Sequence, residues 1–543
     1  MLGLMMDVPL VLSRLIDYAA QCHGDTEVVG RALNGAIERT NYRQLRARAA
    51  KLGNALMDKG YGLDSRLGTI AWNTIGHVEV FYGALGIGAS LHTINPRLAA
   101  DHISYMVNQI DDELIFVDAD TLKLAEQVAP LVPGVKGWIY MDSGEPLPES
   151  SLENLFHLSE LTEPYPDDIQ WPEFDERQAA TICYTSGTTG MPKGVVYSHR
   201  SIMLSAINMA MSDMYGGYNS GDLETVMPIA PIFHANGWQM PFTAPMNGHK
   251  LVLPGRNFEP DKIVELMETE GVTSAGAVPT VWMDIFSHLD SQGTTLPKLK
   301  TVLCSGSRMS RSLFDRFKRE KINIGQSWGM TEAPGTTKGT LPPGSSALPE
   351  QERDDLSFTY QGRLGFLVQQ RIVGEDGESL PHDGKAQGVM QIRGNTVVAR
   401  YLGQEESESV DWLDTGDIAR IEPHGLMEIV DRSKDVIKSG GEWISTLLLE
   451  EAATSHPAIA QAAVISMPHP RWQERPFMLC TLVEGANCTD QELLEHMTTR
   501  VAKWWLPDEI KFIDNMPLTP TRKVSKVKLR ELYLGRSTQM VGP

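Results

Sequence analysis

Residues 184–194 read Tyr-Thr-Ser-Gly-Thr-Thr-Gly-Met-Pro-Lys-Gly, directly after a short apolar run at 180–183 with strand character. Eleven residues thus hold three glycines (Gly187, Gly190, Gly194), four hydroxyls (Thr185, Ser186, Thr188, Thr189) and one lysine, Lys193. Glycines let backbone N–H groups converge on an anion, hydroxyls add donors, and the lysine adds a full positive charge, so the chemistry suggested is polyphosphate binding. Lys193 follows Gly190 by three residues and is itself followed by glycine, so the spacing is not that of a Walker A loop. A generic Ser/Thr/Gly cluster is a flexible turn. That alternative leaves unexplained a lysine held between Pro192 and Gly194.

On either side of this stretch, short runs rich in β-branched residues (67–72, 114–118, 137–141, 250–254, 300–306) alternate with helix-length amphipathic segments such as 41–59. The pattern predicts α/β architecture: a large N-terminal domain, residues 1–431, of stacked βαβ-type units with parallel sheets. From about residue 362 the texture changes to strands separated by Gly, Asp and Pro turns, which predicts a β-rich subdomain over 362–431. Residues 432–543 carry their own helices (447–455 and 490–503) and strands, enough for a small α+β C-terminal domain. The polar span 339–355 reads as an exposed loop.

A length of 543 residues fits two to four compact units. With 48 basic against 69 acidic residues the net charge is −21, so the average surface repels phosphate backbones and anionic lipid, and nucleic acid is not an expected partner. The five cysteines form no CxxC pair and have no zinc-type spacing, and they read as reduced cytoplasmic thiols. The opening MLGLMMDVPLVLSRL has an early Asp7 and no basic segment, and the longest weakly polar stretch, 80–91, contains three glycines. Neither a signal peptide nor a membrane span is expected.

The 184–194 motif resembles the phosphate loop of the adenylate-forming superfamily of acyl-CoA synthetases, and further landmarks follow in that family's order from about residue 41 to about residue 530. Trp328-Gly329-Met330-Thr331-Glu332 resembles its aromatic-Gly-x-Thr-Glu motif. The resemblance implies that Thr331 contacts the nucleotide α-phosphate, that Glu332 holds Mg²⁺, and that Trp328 offers adenine a stacking face. A hard carboxylate oxygen suits that ion. The segment ending in Asp417 resembles the TGD motif, whose aspartate takes both ribose hydroxyls. In Asp431-Arg432-Ser433-Lys434-Asp435, resemblance gives Arg432 a ribose contact and makes Lys434 the hinge of a mobile small domain. Lys438, Gly440, Gly441 and Trp443 fall in a run similar to the loop that meets coenzyme A, and Lys523 aligns with the family's catalytic lysine.

Two positions depart from the family. Arg522 replaces a usual glycine beside Lys523, and in Ser305-Gly306-Ser307-Arg308 the bulky Arg308 stands where a small residue is usual. Ser307 is expected to keep the adenine-facing backbone position, while Arg308 projects to solvent or meets a carboxylate or phosphate. The acyl pocket is expected around His234, Trp238, Gly276, Val278 and Met330, with His234 against the carboxylate channel. Local wording at 72–77, 92–97 and 234–238 is most similar to the branch holding medium- and long-chain fatty acyl-CoA synthetases and 3-methylmercaptopropionate CoA ligases.

The resemblance therefore implies ATP, Mg²⁺ and coenzyme A as cofactors, a small to medium apolar carboxylic acid as substrate, and a homodimer through the large domain. The named alternatives are 3-methylmercaptopropionate specifically, or delivery of the acyl group to an amine or a carrier-protein thiol.

Overall fold

The computed structural model describes residues 3–142, 146–185, 191–211, 223–256, 259–339, 341–342, 344–440, 442–519 and 523–535. Two seven-stranded sheets form the large domain. One runs in the order Asn323–Gln326, Thr301–Cys304, Ser274–Ala277, Thr225–Pro228, Lys250–Leu253, Glu27–Arg31, Ile37–Asn41, parallel except for its last pair. The other runs Leu155–His157, Gly137–Tyr140, Leu114–Val117, Arg66–Ile70, Ser90–Ile94, Ala179–Tyr184, Gly194–Ser198, again with one antiparallel pair at the end. Interior strands such as Leu114–Val117 are buried throughout, which is why they read as unbroken apolar runs.

Helix Ile75–Gly86 contacts a strand of each sheet and is buried along almost its whole length, so it shows no polar face. The amphipathic segment 41–59 forms the helix Tyr42–Asp58, with the Asn41 side chain accepting the Gln44 N–H as its cap.

The β-rich stretch is a four-stranded antiparallel sheet, Val368–Val373, Gln387–Gly394, Leu413–Ile421 and Met427–Arg432. Over residues 433–436 the chain leaves it for the five-stranded sheet of the smaller C-terminal domain, which begins with Ile437–Ser439. That domain closes its own core around Leu449, Val464, Met478, Leu493 and Met497.

Two expectations change here. The span 339–355 is not a plain loop, because helix Glu350–Thr359 starts within it after Pro349 and docks through Phe358, while Arg311 and Lys318 pair with Asp355 and Asp354. The helix expected to reach 503 stops at Thr498, after which a short 3₁₀ turn, Lys503–Trp505, folds Trp505 back against the small-domain core.

Candidate active site

In a parallel sheet the carboxyl ends of the strands mark the crevice where ligands bind. That rule locates the principal cleft, of about 760 Å³. Its wall includes Thr185 after Ala179–Tyr184, Ile229 and Ala230 after Thr225–Pro228, Val278 after Ser274–Ala277, Ser305 and Gly306 after Thr301–Cys304, and Ser327 and Trp328 after Asn323–Gln326. Every one of these residues is the first or second beyond the end of its strand. Ser433, Lys434, Asp435, Thr519 and Lys523 close the cleft from the C-terminal side.

Ser186, Gly187, Thr188, Thr189 and Gly190 lie outside the described residues, but the residues that flank them are joined. The Thr185 N–H donates to the Lys193 carbonyl at 3.0 Å, and both residues line the cleft. The Lys193 ammonium stands 4.8 Å from the centre of the Tyr401 ring, and the Tyr401 hydroxyl donates to Glu332 Oε1 at 2.8 Å. Glu332 is buried, and the Thr331 carbonyl accepts from the Tyr197 hydroxyl at 2.5 Å. Among the described residues no three His, Cys, Asp or Glu side chains cluster as a metal cage. The donor set suits Mg²⁺, which binds through one or two carboxylates together with substrate phosphates.

Elsewhere on the wall, Trp328 lines the cleft and its indole N–H donates to Asp417 Oδ2 at 2.8 Å, while Arg432 Nε lies 2.9 Å from Asp417 Oδ1. Asp417 itself is 2% exposed and stands behind the wall. Each of its oxygens keeps a second lone pair after these contacts, so the carboxylate can still receive hydroxyl donors. Burial holds its acidity back from the ordinary carboxylate range, against the opposing pull of Arg432. Gly329, Met330 and Thr331 are on the wall, but Ser307 is exposed on the rim, and Ser305 and Gly306 take the place expected for it.

Lys523 is nearly enclosed. A Cβ built on Gly306 would lie 3.2 Å from its Cε, and burial together with the nearby Arg432 charge lowers its ammonium to about 8. His234, also in the wall, is pushed down to about 4 by burial and by the Lys523 charge, so it is a neutral imidazole at physiological pH.

Five consecutive residues from Ala235 to Gln239 have positive φ, between 41° and 65°, and only Gly237 among them is glycine. Such a left-handed turn is strained for the other four. Asn236 anchors it, accepting from the Thr181 hydroxyl at 2.6 Å, and the turn presents Trp238 to the cleft, whose wall also holds Met209, Val278, Val281 and Leu303. Gly276 sits one layer back, where an added Cβ would strike Met240 and Trp238, so it sets the depth of the wall without forming it.

Lys438, Gly440 and Trp443 are away from the cleft. Lys438 is exposed, with its ammonium 3.5 Å from Glu375, and the Gly440 N–H donates to the Trp472 carbonyl at 3.0 Å. Gly441 and Arg522 lie outside the described residues. Arg308 meets a carboxylate: its Nε is 3.2 Å from Glu451, on small-domain helix Thr446–Thr454, and it donates to the Ile429 carbonyl. Tyr401 also lines the cleft, although no motif in the sequence marks it, and so does Arg97, which ends the 92–97 stretch.

The model of the AMP-binding enzyme family matches residues 16–402, and that of the AMP-binding enzyme C-terminal domain matches 448–523. The chain belongs to the AMP-binding, adenylate-forming enzymes. It is 41% identical to the 3-methylmercaptopropionyl-CoA ligase of Ruegeria lacuscaerulensis over 98% of this chain and 99% of that protein. It is 37% identical to the medium-chain-fatty-acid–CoA ligase of Ectopseudomonas oleovorans over 98% of each. The solved anthranilate CoA ligase AuaEII, in complex with anthranoyl-AMP, shares the fold with a TM-score of 0.82 at 20% identity, over 97% of this chain and 98% of that one. Membership sets the activity class as an ATP-dependent, AMP-forming acid–thiol ligase.

Proposed function

We propose that this ligase activates a small to medium apolar monocarboxylic acid, with Lys523 as the catalytic cation, and passes the acyl group to coenzyme A. The observation that carries the reading is the enclosure of Lys523 in the same cleft as Lys193, Glu332 and His234. In adenylation the substrate carboxylate attacks the α-phosphorus of ATP and pyrophosphate leaves. Lys523 offsets the repulsion of two anions that must touch, a stabilisation realised where charge develops. Lys193, Thr185 and the 186–190 loop take the departing phosphates, Thr331 faces the α-phosphate, and Asp417 and Arg432 seat the ribose beside Trp328. Mg²⁺ held at Glu332 supplies further charge neutralisation on the phosphate oxygens. Neutral His234 orients the carboxylate without adding a competing charge.

We draw the domain boundary at 431/432, at the end of the strand Met427–Arg432, and the hinge at Lys434, in the 433–436 stretch that joins the two sheets. Turning there withdraws Lys523 and brings in Lys438, Gly440, Gly441 and Trp443 for attack by the coenzyme A thiol. Two observations support an apolar monocarboxylate. Met209, Trp238, Val278, Val281, Leu303 and Met330 carry no charge, and Arg308, a candidate reader of a second carboxylate, is engaged with Glu451. We place the enzyme in the cytoplasm, since all five cysteines are unpaired and four are buried. Among the described residues no helix is long and apolar enough to cross a membrane.

The test is pyrophosphate release and AMP formation with ATP and Mg²⁺ against straight-chain acids, 3-methylmercaptopropionate, aryl acids and dicarboxylates, each with and without coenzyme A. Thioester formation from a small to medium apolar acid is expected. Adenylation without thioester would make the acceptor an amine or a carrier protein. Preference for a dicarboxylate would overturn the pocket reading.

A further inference from the structure

Tyr401 lies between the two charges that would handle ATP. Its ring faces the Lys193 ammonium at 4.8 Å and its hydroxyl donates to Glu332 Oε1 at 2.8 Å. The backbone on either side of it is tied to the same two segments. The Leu402 N–H donates to the Gly194 carbonyl and the Val398 N–H to the Glu332 carbonyl, each at 2.9 Å. Tyr401 also lines the cleft itself.

A lysine and a carboxylate at the same end of a partly desolvated cleft attract strongly, and a direct contact would spend both charges on each other. Tyr401 prevents that with one side chain, because a π face satisfies the cation and a hydroxyl satisfies the anion. We propose that Tyr401 is a positioning residue for adenylation. It holds Lys193 and Glu332 apart, keeping Lys193 available for phosphate and leaving the second Glu332 oxygen for the divalent cation. The inference rests on the reading of Lys193 and Glu332 as the phosphate and metal contacts.

The full-length protein is titrated with Mn²⁺ in the presence of ATP and absence of acid, read by electron paramagnetic resonance, and ATP affinity is measured separately in EDTA. Tyr401→Phe keeps the ring and loses the hydroxyl. It is expected to weaken Mn²⁺ binding about tenfold, as loss of a partner that orients a metal ligand does, and to leave ATP affinity in EDTA unchanged. Tyr401→Leu loses both contacts and is expected also to weaken ATP in EDTA about fivefold, an effect absent when Lys193 is already alanine.

Unchanged Mn²⁺ binding in Tyr401→Phe, with weakened binding in Glu332→Gln, would overturn the proposal while leaving the metal reading intact. If Glu332→Gln also binds Mn²⁺ normally, the metal reading of Glu332 is what fails. Equal additional loss from Tyr401→Leu with and without Lys193 would show that the ring does not act through Lys193, and would overturn that half of the proposal.

Discussion

The small domain carries two segments assigned to chemistry, and their surroundings are opposite. Lys523 is enclosed in the cleft against Gly306, with its ammonium lowered to about 8 by burial. Lys438 and Gly440 stand outside the cleft wall, with Lys438 exposed beside Glu375 and Gly440 bonded to Trp472. A packed domain cannot present both segments to one cleft at once. On the proposed roles of the two segments, the observed arrangement is the one suited to adenylation, and thioester formation would need the domain to turn about the 433–436 connection. Arg308 and Glu451 bridge the two domains in this arrangement.

The largest effect expected from breaking this contrast is at Lys523. Lys523→Ala should slow pyrophosphate release by about a thousandfold, the scale of losing a preorganised charge at a developing anion. Thioester formation from supplied acyl-adenylate should stay near wild type, and parallel assays of the two half-reactions check this. The mirror experiment is Gly440→Val. Gly440 has φ of +61°, and a Cβ there would lie 2.8 Å from the Trp472 ring, so a valine must displace the segment. Thioester formation should fall about a hundredfold, as misplacement by an ångström can cause, with adenylation spared. Loss of both half-reactions in either variant would collapse the division of labour between the two segments.

Next in size is the pH dependence. Burial disfavours the charged form of Lys523, and catalysis needs that form. Adenylation measured as kcat/KM should thus be flat below about pH 8 and fall about tenfold per unit above it. Bound ATP favours the cation, so the limb in kcat should lie at higher pH. Thioester formation from acyl-adenylate should lack this limb, because Lys523 has left the cleft by then. Lys523→Arg, with its permanent charge, should remove the limb from whatever adenylation rate remains.

Most of the cleft was legible in the sequence because its chemistry is concentrated in short stretches at strand ends. Trp328 to Glu332 is one such stretch, and Thr185 with Lys193 brackets another. Tyr401 carried no such signal, since it reaches the cleft alone from its segment, and Arg97 stood out only as the end of the 92–97 wording, with no chemistry attached to it. Ser307 differs from the expectation by a small offset: the chain bends at Gly306, with φ of +92°, so Ser305 and Gly306 face inward and Ser307 faces solvent. The left-handed turn at 235–239 was invisible because only Gly237 advertises it, and the tertiary bond from Thr181 to Asn236 helps to hold it. Helix Glu350–Thr359 escaped notice because it buries little beyond Phe358, which leaves no apolar stripe to read.

The smallest expected effect tests the contrast most finely. Arg308 is fixed on the large domain by the Ile429 carbonyl, 11% exposed, and Glu451 reaches it from the small domain at 24% exposure. A partly screened pair of this kind contributes about 1 kcal/mol, which is about a fivefold bias between the two domain arrangements. The pair is present with Lys523 in the cleft, and the proposed turn about 433–436 would separate it. Arg308→Ala should therefore slow pyrophosphate release about fivefold and leave thioester formation from acyl-adenylate unchanged or faster. Glu451→Gln should do the same, and the double variant should be no worse than either single one, because partners in one contact are not additive. Exchanging the two residues should recover part of the loss if attraction is what matters, though the Ile429 contact would be gone. A change of substrate preference in Arg308→Ala, with both rates for the best acid intact, would mean that the arginine serves the acyl pocket and that this pair does not bias the domain arrangement, which would then rest on packing and on contacts such as Thr446 with Asp431 and Lys438 with Glu375.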